Sequence, residues 1–225
     1  MGQVTGRSES SESTSAALAA TTGENLLVSG GPLVGKRAFA VDVATTAATA
    51  GRDVLFVTAS TGADALPTAL RESGNVSVVD CAPGATDQVG SVTAVSTPGD
   101  LTGVSMPVSR FLAEADAPVV VVDSISTFLL YGDQAPVFRF LSVLTAHVRR
   151  SGGLGLYTID EGCHDEQTFR TFVQLFDGEV GLRTTESDAA PDTDADVGAE
   201  VTPPTSTTEV RVRGVAEFDG EWQPS

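Results

Sequence analysis

The sequence predicts an α/β domain: a mainly parallel sheet with helices covering both faces. Three observations predict it. The runs 54–57 and 119–122 contain no polar residue, as expected of strands buried on both faces. Between such runs the apolar spacing turns helical: Val137, Phe140, Leu141, Leu144 and Val148 fall on one face of a 3.6-residue period. An apolar segment at 26–28 also runs straight into a glycine-rich turn that opens the next helical pattern.

The elements follow in order. A buried strand at 26–28 leads through glycines to a helix over 36–50, closed by Gly51. A strand at 54–57, a short helix from Pro67 to Gly74 and a strand at 76–79 come next. The segment 109–115 is helical and 119–122, four valines, is the strongest strand. Pro136 suits the first turn of the helix that carries Val137 to Val148. A strand at 154–159, a helix at 167–176, a strand at 179–182 and strand-like residues at 209–222 complete the pattern. Residues 1–22, rich in Ser, Thr, Glu and Ala, are expected to form a disordered tail with at most a short helix near 15–20. The domain core is expected over 23–183, an acidic flexible insertion over 184–208, and a terminal strand segment of the same domain over 209–225. No internal repeat is present.

Charge and targeting patterns exclude several function classes. Thirteen basic against 30 acidic residues give a net charge of −17. Such a chain is repelled by nucleic acid unless it hides a basic groove, and no basic run exceeds Arg149-Arg150. Lys36 is the lone lysine. This composition resembles that of cytosolic proteins of salt-loving archaea, in which a carboxylate-rich surface keeps the protein solvated. No apolar run is long enough to span a membrane, and the opening residues lack the basic start and apolar stretch of a secretory signal. Gly6 stands where a myristoylation motif needs Ser or Thr. The expected location is cytoplasmic. Cys81 and Cys163 form no CxxC pair and are expected to be free thiols.

The chemistry concentrates in two motifs. Gly30-Gly31-Pro32-Leu33-Val34-Gly35-Lys36 reads GxxxxGK between a strand and a helix, the context a phosphate-binding P-loop requires. Its glycines let backbone N–H groups face a phosphate, the helix start adds positive potential, and Lys36 would reach the terminal phosphates. Arg37 stands where a P-loop has the Ser or Thr that ligates Mg²⁺. A guanidinium has no lone pair for a metal. The second motif is the apolar run ending in Asp123, the pattern of a strand-end carboxylate that holds Mg²⁺ beside a P-loop. Hydrolysis also needs a group that activates water. Ser124 follows Asp123, and the end of the 54–57 strand reads Thr58-Ala59-Ser60-Thr61, with no carboxylate. Asp160 and Glu161, after the 154–159 strand, are the candidates to replace it.

The order of these motifs resembles the KaiC branch of the RecA-type P-loop ATPases, and more closely the haloarchaeal KaiC-like (HTR-like) proteins. The stretches that carry the resemblance are 96–103, Val122-Asp123-Ser124-Ile125-Ser126, Phe138-Arg139-Phe140-Leu141 and Leu175-Phe176-Asp177-Gly178. It implies a RecA/KaiC-like sheet with the 154–159 strand between the P-loop strand and the Asp123 strand. It implies ATP held between subunits of a ring, with Arg211-Val212-Arg213-Gly214 similar to a segment that reaches the neighbour's phosphates. Arg211 and Arg213 are then candidate contacts in trans, although alternation with Val210 and Val212 fits a solvent-facing strand edge equally. Thr158 stands where such ATPases keep a polar sensor. The motifs are degenerate. Ser60 and Thr61 occupy the places of the paired glutamates of this family, and Arg37 departs from its P-loop.

Nucleotide-binding candidates are thus Gly30, Gly31, Gly35, Lys36, Arg37, Asp123, Thr158, Arg211 and Arg213, with Asp123 the candidate Mg²⁺ ligand. The expected function is a KaiC-like regulatory protein that binds ATP or another nucleotide and hydrolyses it slowly or not at all. It would signal through a protein partner or a homo-oligomeric ring. An active ATPase using Asp160 or Glu161, and a nucleotide-free interaction scaffold, remain the alternatives. His147 reads as a packed histidine, the Cys163-His164 pair as a loop rather than a metal cluster, and Trp222 as a pin for the terminal strand.

Overall fold

The computed structural model describes residues 9–86, 91–186, 206–216, 218 and 220–224. Among them nine strands form one sheet in the order β4-β3-β2-β5-β6-β1-β7-β8-β9. These strands are β1 (Glu24–Gly30), β2 (Val54–Thr58), β3 (Val76–Asp80), β4 (Val92–Ala94), β5 (Val119–Asp123), β6 (Leu154–Thr158), β7 (Gly178–Glu186), β8 (Ser206–Arg213) and β9 (Gln223–Pro224). The strands from β4 to β7 pair in parallel, and β8 and β9 add an antiparallel edge. β6 lies between β1 and β5, the placement the family resemblance implies.

The helices are α1 (Glu9–Ala20), α2 (Lys36–Thr49), α3 (Thr68–Arg71), α4 (Leu101–Glu114), α5 (Ile125–Tyr131), α6 (Gln134–Arg150) and α7 (Glu166–Val173). Alternate residues of each strand face opposite ways, and this divides the core in two. Val54, Phe56, Val119, Val121, Leu154 and Leu156 pack with Leu18 of α1 and Phe39 and Val43 of α2. Leu55, Val57, Val120, Val122 and Tyr157 pack on the other face with Val108, Phe128, Leu141, Leu144 and Phe172. Burying an aliphatic or aromatic side chain of this size contributes about 1.5–3 kcal/mol, so the two layers are the main source of stability.

Several elements differ from the sequence reading. The opening segment, expected as a tail with at most a short helix near 15–20, carries the longer α1 over Glu9–Ala20. Leu18 is fully buried, and Arg52 donates hydrogen bonds to the carbonyls of Ala19, Thr21, Ala117 and Pro118. The buried residues of α1 among those described are Thr14, Ser15, Leu18 and Ala19, of which only Leu18 is strongly apolar, too few to register in the periodicity. Helix α4 starts eight residues before the expected 109, because Asp100 caps it by accepting from the Gly103 amide at 2.8 Å. Gly103 and Pro107 inside it mask the helical pattern. Strands β7 and β8 pair out to Glu186 and Ser206, into the segment expected as a flexible insertion. The rest of that insertion, 187–205, lies outside the described residues. Elements β4 and α5 have no counterpart in the sequence reading.

Candidate functional site

The parallel register brings the strand ends together. Thr58 of β2 pairs with Asp123 of β5, and Val122 pairs with Tyr157, which sets Asp123 beside Thr158 of β6. Val28 of β1 pairs with Thr158, so Gly30 emerges next to the same edge. Ligands bind at this carboxyl edge in open α/β sheets. A cleft of about 380 Å³ opens there, lined by Leu33, Gly35, Lys36, Arg37, Ser60, Asp123, Ser124, Thr127, Thr158 and Asp160. A larger hollow of about 590 Å³ lies between β3 and α4, where Leu55, Val78, Met106 and Phe111 are joined by Ser77, Ser91, Thr93, Arg110 and Glu114 but by no glycine loop or lysine.

The P-loop turns as its glycines permit. Gly35 caps α2 at φ 88°, a left-handed conformation that glycine adopts without strain. At Gly30 a Cβ would stand 2.5 Å from the Leu182 carbonyl oxygen, so a side chain there would collide with β7. Leu33, at φ 62°, is fully exposed at the loop tip.

Lys36 is buried, and its ammonium points back into the loop. It donates to the carbonyls of Gly30 at 3.0 Å and Gly31 at 2.5 Å, and forms an ion pair with Asp160 at 2.8 Å. Glu161 is exposed, and its amide donates to the Gly30 carbonyl at 2.9 Å. The 160–161 segment is thereby tied to the P-loop from both sides. Asp160 is tied once more, since its amide donates to the Ser126 hydroxyl at 2.9 Å, which shares a 2.8 Å hydrogen bond with Nε2 of His164.

Asp123 is the second centre. Its carboxylate accepts from Arg37, from the Ser60 hydroxyl at 3.1 Å and from the Thr158 hydroxyl at 3.0 Å. Arg37 also donates to the Thr58 hydroxyl at 3.2 Å and lies over the Phe56 ring, 5.8 Å from its centroid. Its Nη2 is buried and has no hydrogen-bond partner.

Gly30, Gly31, Gly35, Lys36, Arg37, Asp123, Thr158 and Asp160 therefore sit together. Arg211 and Arg213 do not line this cleft. Arg211 and Arg183 both lie over the Trp222 ring, 4.3 and 4.1 Å from its centroid, and Arg213 is exposed on β8. Thr58 was missed as a site residue. The signal for it was a polar residue ending an otherwise apolar strand. Cys81 is buried, Cys163 is exposed and both are free thiols. Among the described residues no three His, Cys, Asp or Glu side chains converge as a metal site, and no helix is long and apolar enough to cross a membrane.

The Mg²⁺ that P-loop ATPases use does not fit the residues present. The position after Lys36 offers a guanidinium instead of a hydroxyl, and that guanidinium occupies the Asp123 carboxylate.

The fold is thus a RecA-type α/β fold of the KaiC-like kind. The chain belongs to a family of unknown function (DUF7504), whose model matches residues 23–182. Among solved structures it is similar to a KaiC-like protein of the hyperthermophilic archaeon Pyrococcus horikoshii OT3. The TM-score is 0.66 at 18% identity, over 90% of this chain and 84% of that one. No curated protein sequence matches the chain. The fold is shared by 457 matching solved chains, so the function has to be argued from the site.

Proposed function

We propose that the chain binds a nucleoside phosphate in the P-loop cleft and works as a KaiC-like regulatory protein with slow or absent hydrolysis. The observation that carries this reading is the buried Lys36 at the start of α2, next to a glycine loop that opens on the Asp123 and Thr158 strand ends. Backbone N–H groups and a helix start favour a phosphate there.

The carboxylates that line the cleft support slow chemistry. Asp123 is engaged by Arg37 and Asp160 by Lys36. In the ligand-free chain neither is free to take a proton from an attacking water, and Asp123 stays held by Arg37 when a phosphate takes Lys36 from Asp160; loss of such a base typically costs ~10²–10⁴ in rate. Bound ligand would therefore act as a switch, read by a protein partner or by a ring of identical copies. Exposed Arg213 is better placed than Arg211 to reach a second copy, because Arg211 is held on Trp222. The acidic surface suits a cytoplasm of high salt, as in haloarchaea.

Calorimetry with ADP and ATP in molar KCl tests the reading. Wild type is expected to bind, and folded Lys36→Ala to lose about tenfold or more in affinity. No heat from the folded wild type at any oligomer-forming concentration would sink the proposal and favour a nucleotide-free scaffold.

A further inference from the structure

We infer that this cleft takes its anionic ligand without a divalent metal, the Arg37 guanidinium serving as a fixed cation in the metal's place. The inference rests on the nucleoside-phosphate reading for its ligand, and on the geometry around Asp123 for the exclusion of metal.

Asp123 is 4% exposed, and both oxygens of its carboxylate already accept hydrogen bonds. One oxygen receives Arg37 and Ser60, the other Thr158. A divalent ion would have to displace a guanidinium that is itself held from three sides, by Asp123, by the Thr58 hydroxyl and by the face of Phe56. The displaced guanidinium would either remain beside the dication and repel it, or lose its carboxylate in a largely buried setting. Both outcomes are unfavourable, because charges in a partly dry site interact strongly.

The same side chain supplies what an anion needs. An arginine has five N–H donors. Nη1 is committed to Asp123 and Thr58, while Nη2 is buried with no partner. Arg37 lines the cleft, so its charge and that unpartnered donor belong to the site a ligand oxygen would enter. Lys36, on the adjacent residue, supplies the second cation once Asp160 yields to the ligand. The ligand class is a nucleoside phosphate bound as the free anion.

The test uses the full chain and has two readouts. In the first, Mn²⁺ is titrated into wild type in molar KCl, and selective paramagnetic broadening of the Gly35, Arg37 and Ser60 amide signals is followed. None is expected in wild type, whereas Arg37→Thr, which restores a hydroxyl, gains it. In the second, ADP affinity is measured in Mg²⁺ and in EDTA. The two values are expected to agree within about twofold in wild type and to diverge about tenfold in Arg37→Thr. Broadening of these amides in wild type overturns the inference, as does ADP binding that needs Mg²⁺ or a folded Arg37→Thr that gains no metal. If ADP binds in neither medium, the nucleoside-phosphate reading fails, while the Mn²⁺ titration, which needs no nucleotide, still decides whether Arg37 excludes the metal. Should Arg37→Thr not fold, the two wild-type measurements suffice.

Discussion

The ammonium of Lys36 lies 2.8 Å from the carboxylate of Asp160, so the P-loop cation is matched by a carboxylate of its own chain. A phosphate must compete with Asp160 for Lys36. Removing that charge has two opposite effects. Asp160→Asn leaves Lys36 with only the Gly30 and Gly31 carbonyls, and stability falls by about 1 kcal/mol, a modest figure because Asp160 is a third exposed. Affinity for ADP or ATP is expected to rise by about 3–10-fold. Thermal unfolding and calorimetry on the same variant check both. A relocated catalytic base gives the contrary pattern, a measurable wild-type turnover that Asp160→Asn abolishes.

The two first glycines of the P-loop are not equivalent. A Cβ on Gly30 would meet the Leu182 carbonyl oxygen at 2.5 Å and Val34 Cγ2 at 2.8 Å, whereas one on Gly31 meets only Val34 Cγ1 at 3.8 Å. The first clash is with backbone held in the β1–β7 ladder, which cannot yield locally. Gly30→Ala is expected to cost about 1–3 kcal/mol, and Gly31→Ala about 0.5 kcal/mol or less. Denaturant titrations of the pair decide it, and equal losses would mean that the loop relaxes around Gly30.

A buried polar chain fixes the other end of β1. The Tyr157 hydroxyl donates to Asn25 Oδ1 at 3.0 Å, Asn25 Nδ2 donates to the Thr145 carbonyl at 3.2 Å, and the Asn25 amide donates to Asp177 at 2.8 Å. Asp177 in turn accepts from Arg149 at 2.7 Å. Burial pushes the Tyr157 phenol well above its ordinary value, so it stays a donor throughout the working pH range. Tyr157→Phe removes that donor and leaves Asn25 Oδ1 unpaired inside the core, at a cost of about 1–3 kcal/mol. For a chain of this size each kcal/mol lowers Tm by about 2–4 °C. An unchanged Tm would show that Asn25 finds another partner.

The surface predicts its own salt dependence. A net charge of −17 on 225 residues repels itself most at low ionic strength. Screening length falls from ~10 Å at 0.1 M to ~3 Å at 1 M salt. Tm is therefore expected to rise as KCl goes from 0.1 to 2 M. A flat profile in differential scanning calorimetry would remove the salt-adaptation reading of the acidic composition.

Much of this was legible in the chain because the signals were local. Strands β2 and β5 announce themselves as unbroken apolar runs, and the valine stretch delivers Asp123 to the sheet edge by counting alone. Lys36 and the glycines before it were readable for the same reason. What was not legible depends on partners distant in sequence. Arg37 was known to replace a hydroxyl, but only the β2–β5 register shows Thr58 and Asp123 closing on it. Asp160 could be named as a carboxylate near the site, yet its pairing with Lys36 follows from the β1–β6 register and from the Ser126 tether. Of helix α1 only a short piece near 15–20 was readable, because small and polar residues pack without leaving a periodic signature and Leu18 alone could not supply one.

The two cysteines give the last prediction. Cys81 is fully buried at the end of β3, its thiol donates to the Thr58 carbonyl at 3.1 Å, and burial, then the charge of Asp80, push it up to about 12. Cys163 is exposed in the loop before α7. The thiolate is the reactive species, so a native sample is expected to lose one thiol quickly to iodoacetamide and the second only on unfolding. The sign of the pH effect follows from the raised value. An unfolded cysteine ionises near ~8.5, so the unfolded state releases a proton there while the folded state still holds it. The stability contributed by the neutral thiol is fully present below about pH 8.5 and declines as pH rises towards 12. Cys81→Ala is expected to flatten that alkaline decline in denaturant titrations at pH 7, 9 and 10. The decline persisting unchanged in Cys81→Ala would place its origin in another group. Rapid loss of both thiols at pH 7 would mean that the β2–β3 edge beside the cleft opens in the native state.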